Sequence, residues 1–173
     1  MAGQAPGFDD VYREHSVLAY NFLLRILGNP EDAEDAAVET FRRVHKGLKK
    51  YRGAEASLKA WVLQIASNVA KRALQRRIRN QTVPIQGLTA TEVDMAQSAA
   101  GNPETLALNK DSAEAILSRL PHSQRAAVWM VVGLELTHEE AAQALDVPVG
   151  TVKSWVWRSL TRLRKQCEGT HDE

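Results

Sequence analysis

The chain of 173 residues holds a single cysteine, Cys167, so no disulfide can close within it and no thiol cluster is offered to a structural metal. A lone thiol fits a reducing compartment. No apolar run approaches the roughly 18 residues that a membrane helix needs. Met1 to Asp10 has neither a basic start nor an apolar stretch, which argues against a signal peptide. These absences point to a cytoplasmic protein without direct membrane insertion. His15, His45, His122, His138 and His171 are scattered, and Cys167 with His171 alone makes a poor ligand pair, so neither a metal nor a cofactor is expected. Phosphate loop and nucleophile elbow are both missing, and the chain is expected not to be an enzyme.

Charge of one sign is missing from long stretches. Residues 1–41 carry 2 basic and 8 acidic side chains, residues 42–80 carry 12 basic and only 1 acidic, and residues 81–104 carry no basic residue. The end of the chain turns basic again through Lys153, Arg158, Arg162, Arg164 and Lys165. A solvated face mixes its signs, whereas a block of one sign repels itself unless a polyanion covers it. Two separated basic patches therefore suggest two nucleic-acid contacts, with an acidic surface beside the first.

The periodicity is helical, and the fold class expected is all-α. Val11, Leu18, Phe22 and Ile26 predict a helix from Phe8 to Leu27 that Gly28 stops. Asn29-Pro30-Glu31-Asp32 reads as an N-cap, a proline in the first turn and acids at the positive helix end. The second helix runs toward Leu48. A turn at Tyr51 to Ala54 precedes a third helix from Ser57 to Ile78. Periodicity collapses from Asn80 to Pro103, where Pro84, Gly87, Gly101 and Pro103 mark a linker. The expected organisation is one helical domain over 1–80, a flexible linker over 81–103 and a second helical domain over 104–173. Each domain is small enough that docking, mutual or with a partner, adds stability.

The strongest local motif is a helix-turn-helix from Leu136 to Ser154. Thr137 and Glu140 form a capping box, Ala141 and Ala142 admit a close crossing, and Asp146 to Pro148 supply the turn. On the second helix Val149, Val152, Val156, Leu160 and Leu163 are expected to be buried. Thr151, Ser154, Arg158 and Thr161 point away, with Lys153 at the boundary, as a major-groove reader requires. Trp155 and Trp157 flank the stripe, and the spacing leaves open which of them meets DNA.

Leu120-Pro121-His122-Ser123-Gln124-Arg125, with the helix-turn-helix and Gly150 to Ser154, resembles region 4 of the extracytoplasmic-function sigma factors of the sigma-70 family. Asp32 to Phe41 resembles their core-binding helix of region 2, and Leu58 to Asn68 their promoter-melting segment. The resemblance implies a sigma factor that binds core RNA polymerase, melts DNA and starts transcription at −10 and −35 elements. Asp32, Asp35 and Glu39 would meet the clamp helices of the polymerase's largest subunit, and region 4 the flap of the second largest. Tyr51, Arg52, Asn68, Lys71, Arg72, Gln75 and Arg76 would face the −10 element, with Tyr51 either stacking on a base or capping a turn, and Trp61 in the core. Arg125, Thr137, Thr151, Lys153, Ser154, Trp157 and Arg158 would serve the −35 element. An anti-sigma factor is the expected regulator. The alternatives are a sigma mimic that sequesters an anti-sigma factor, and an ordinary helix-turn-helix regulator.

Overall fold

A computed structural model describes residues 7–53, 58–81, 117 and 119–168. Among these residues the regular structure is entirely helical, arranged as an N-terminal and a C-terminal unit. Helix α1 spans Phe8–Leu27 and α2 spans Pro30–Leu48. The break between them has two local causes. Gly28 adopts φ 70°, where only glycine is unstrained, and its N–H closes the helix on the Leu24 carbonyl at 2.8 Å. Asn29 then caps α2, its Oδ1 accepting from the Glu31 and Asp32 N–H groups at 2.8 and 3.2 Å. Helix α3, Leu58–Gln81, packs on both and completes a three-helix bundle.

The C-terminal unit begins with α4, His122–Val128, which continues as a π-helical turn over Trp129–Gly133. Helix α5, His138–Leu145, opens on the expected capping box. Thr137 Oγ1 accepts from the Glu140 N–H at 3.1 Å, and the Glu140 carboxylate accepts from the Thr137 N–H at 2.8 Å. Asp146 ends α5 in the left-handed region at φ 55°, and α6 follows as Val149–Glu168. On α6 the buried stripe is Val152, Val156 and Ser159, with Val149 and Leu163 half-buried. Leu160, expected inside, is 40% exposed. One position beyond Ser159 is about 100° of rotation, enough to carry Leu160 off the face.

The two units share a core. Phe22, Leu23 and Ile26 of α1 and Leu63, Ala66, Ala70 and Leu74 of α3 form one apolar cluster with Ala126, Met130, Ala141, Ala142, Val152 and Val156. The crossing of α3 and α5 is rich in alanine, which lets two backbones approach closely. Polar clasps surround it: Lys59 Nζ donates to the Leu134 carbonyl at 3.1 Å, Gln64 Nε2 donates to the Gln143 carbonyl at 3.3 Å, and the Arg25 guanidinium lies 4.8 Å over the Trp129 ring. Mutual docking of two small domains is thus realised. Residues 82–116 lie outside the described residues, so the linker over 81–103 and the onset of the second domain at 104 belong to the expectations only.

Leu63 is fully buried at the centre of the shared cluster. Leu63→Ala is expected to lower stability by about 2–5 kcal/mol, read as a lower urea midpoint with the tryptophan signals of both units moving together.

Candidate nucleic-acid interface

The C-terminal halves of α3 and the middle of α2 diverge into a groove of about 1020 Å³. Arg72, Arg76, Arg77 and Arg79 line it from α3, and the α2 wall carries Asp32, Asp35 and Glu39 together with Arg42 and Arg43. The spacing of Arg72 and Arg76 by one helical turn puts both on one edge, where both are exposed. Cations at this density within a concave wall attract a phosphate chain far more strongly than the net charge of +1 suggests. Asn68 is exposed beside them, and Lys71 and Gln75 are half-buried.

The acids of α2 differ among themselves. Asp32 and Asp35 are exposed and open to a basic partner. Glu39 is already engaged. Arg42 Nε and Nη2 donate to its oxygens at 2.7 and 2.9 Å, and Arg43 Nε at 2.6 Å. Hydrogen bonds from these two guanidinium groups hold the Glu39 carboxyl down to about 2. The sequence reading grouped Glu39 with the other two acids as a core-polymerase contact and did not include this pairing. The signal was present, because an acid with arginines three and four residues ahead is a helical ion pair.

Tyr51 and Arg52 close the turn after α2. The Tyr51 ring packs against Trp61 with centroids 4.8 Å apart, and burial raises its phenol pKa. Trp61 is half-buried and fills the space beside Gly47, where a Cβ would come within 2.9 Å of its ring. Arg52 Nη1 donates to the Lys49 and Tyr51 carbonyls, both at 3.0 Å. Of the turn expected at Tyr51 to Ala54, Tyr51 to Gly53 lie within the described residues.

On the C-terminal unit, α6 presents Lys153, Ser154, Trp157 and Arg158 to solvent, with Thr151 half-buried at its start and Thr137 exposed at the head of α5. Trp157 is 68% exposed whereas Trp155 packs against the core. Arg125 departs from expectation. It is 6% exposed, within a run of buried residues from Arg125 to Val128 of α4, so the docked form leaves it little surface to offer a flanking phosphate. Among the described residues no three potential ligands gather as a metal site, and no helix is long and apolar enough to cross a membrane.

Two family models match the chain, Sigma-70 region 2 over residues 11–80 and Sigma-70 region 4 over residues 110–163. Among curated relatives, the chain is 32% identical over 165 residues to the ECF RNA polymerase sigma factor SigE of Mycolicibacterium smegmatis, covering 92% of this chain and 61% of that one. It is 27% identical to the RNA polymerase sigma-H factor of Pseudomonas aeruginosa over 94% of this chain and 87% of that protein. It is 25% identical to the ECF sigma factor SigW of Bacillus subtilis over 95% and 90%. The fold matches the sigma factor RpoE of Bartonella quintana, solved in complex with the anti-sigma factor NepR, at a TM-score of 0.64 and 20% identity over 96% of this chain and 98% of that one. The two Sigma-70 models together span most of the chain, which belongs to the sigma-70 family and is similar to its extracytoplasmic-function sigma factors.

The Glu39 pairing makes a sharp prediction. A carbon-detected NMR titration should find this carboxyl protonating near pH 2. Arg42→Ala, which removes the largest cause, should move it back toward the ordinary glutamate range, about 4.3. A depressed carboxyl stabilises the fold above its ordinary pKa and loses that contribution as pH falls toward about 2.

Proposed function

We propose that this chain binds core RNA polymerase and carries it to promoters, gripping a −10 element with the first unit and a −35 element with the second. The observation that carries the reading is the pairing of an arginine-lined groove on α2 and α3 with an outward Lys153–Ser154–Trp157–Arg158 face on a helix-turn-helix. Asp32 and Asp35 offer the acidic contact for the clamp helices, and the C-terminal unit the contact for the flap. Asn68, Lys71, Arg72, Gln75 and Arg76 follow the melted strand. Tyr51 and Arg52 stand at its edge, where cations and a stacking surface hold an unpaired strand. Thr151, Lys153, Ser154, Trp157 and Arg158 enter the major groove, and Thr137 reaches a phosphate beside it. The domain limits that go with this reading are 1–80, 81–103 and 104–173.

The chain itself has no catalytic constellation among its described residues, and polymerase supplies the chemistry. We place the protein in the cytoplasm, with an anti-sigma factor as regulator. The solved neighbour was captured with such a factor. A mimic that only sequesters an anti-sigma factor has no use for two basic faces, and a simple helix-turn-helix regulator has none for the α2–α3 groove.

Purified chain added to core polymerase should start transcription at a defined promoter and give a two-part footprint. Failure at every promoter of its own genome would sink the reading. Arg158→Ala should weaken binding to the upstream half by about 1–3 kcal/mol if Arg158 reads a base edge. Charge reversal at Arg72 and Arg76 should abolish strand opening, read by permanganate reactivity, while Asp35→Ala lowers core affinity alone.

A further inference from the structure

We propose that His122 makes the docking of the C-terminal unit on α3 sensitive to acid, because its imidazole is buried at the junction of the two units close to the cations Lys71 and Arg125. The inference stands on the packing of the two units and needs no assumption about promoters.

His122 opens α4 and is 2% exposed. It belongs to the C-terminal unit, yet the groups around it include Ser67 and Lys71 of α3. Ser67, itself 6% exposed, shares this burial. By strict geometry neither ring nitrogen is satisfied, and the Ser67 backbone is the polar group that approaches the ring. The ring therefore sits across the junction of the units with a poor hydrogen bond at best, which is costly for a neutral imidazole and far more so for a charged one.

The charged groups that act on the ring are Arg125 from its own helix and Lys71 from α3, and both repel a proton. Of the other elements packed on α4, α1 sends Arg25 to the Trp129 ring, and the described cations of α6 lie on its outer side. The acids of α5, Glu139 and Glu140, stand in its first turn, where Glu140 is engaged by Thr137. Only the Ser67 backbone favours the charged ring. Burial first, then Arg125 and Lys71, push the imidazole down to about 3. The positive end of α4 acts in the same direction.

Separation of the units hydrates the ring and returns it to its ordinary value, about 6.5. The docked form thus keeps its full advantage above that value and loses it as pH falls below. Between pH 7.5 and 5.5 the ratio of open to docked molecules should rise about tenfold. His15 is also buried and lowered, by burial and Lys59 against Glu14. It lies on α1 inside the first unit and serves as the comparison.

The test uses the full chain with Cys167→Ser and dyes at two exposed positions, Val17 and Arg164, one in each unit. Single-molecule energy transfer counts open molecules directly. The tenfold rise is expected in this background and in His15→Gln. His122→Leu, which fills the site without titrating, should hold the ratio within twofold. A flat ratio in the parent chain, or an equal rise in His122→Leu, would overturn the proposal. Should His122→Leu disturb folding, the ring decides alone: nitrogen-detected NMR of the parent must find His122 unprotonated in docked molecules at pH 5.5. Titration near 6.5 without opening would refute it.

Discussion

Helix α3 has to satisfy two solvents at once, and the rest of the molecule is arranged around that demand. Its inner surface, with Leu63, Ala66, Val69, Ala70 and Leu74, is sealed first by α1 and α2 and then by the C-terminal unit. Its outer edge carries Arg72, Arg76 and Arg79, exposed and stacked turn upon turn. Burial of the first surface holds the second rigid. A helix packed against α1, α2 and the C-terminal unit sets the backbone positions of its arginines; on the proposed reading, that reduces what a phosphate chain has to order on binding.

Electrostatics divides α2 along its length. The first turns bear Asp32 and Asp35, and the later turns bear Arg42 and Arg43, with Glu39 holding both arginines in place. The same helix thus carries exposed acids on its first turns and paired arginines on its later ones, both along one groove. An exposed pair of this kind contributes little to stability by itself. Its effect is positional: two long side chains lie along the groove wall instead of sampling solvent. Residues 42–80 add only one acid, so the carboxylates of the groove come from the earlier turns of α2.

Local chemistry was legible in the residues wherever a backbone group needed a specific partner. Gly28 with Asn29-Pro30 sets the end of α1 and the start of α2, and Thr137 with Glu140 sets the start of α5. The helix-turn-helix followed from such signals, and the class of the protein from the resemblance of its motifs to a known family. What stayed hidden depends on contacts between elements distant in sequence. Nothing local distinguishes Arg125, buried in α4, from Arg158, exposed on α6. The two tryptophans of α6 also differ only through what packs behind them. The π-helical turn at Trp129–Gly133 left no periodic trace, because one extra residue in a short segment shifts the register without changing its composition.

The docked arrangement and the promoter-bound one are difficult to reconcile in a single conformation. Arg125 and His122 lie against buried surface, Lys59 and Gln64 donate to carbonyls of the other unit, and Lys71 is half-covered beside His122. A chain that spans two promoter elements has to pull these groups apart, exposing Met130, Leu136 and the alanine faces of α3 and α5. Exposed apolar surface of that kind is costly in water, so separation is favourable only when polymerase, DNA or protonation compensates. The core that stabilises the free protein is then also what keeps its two basic faces from acting together without a partner.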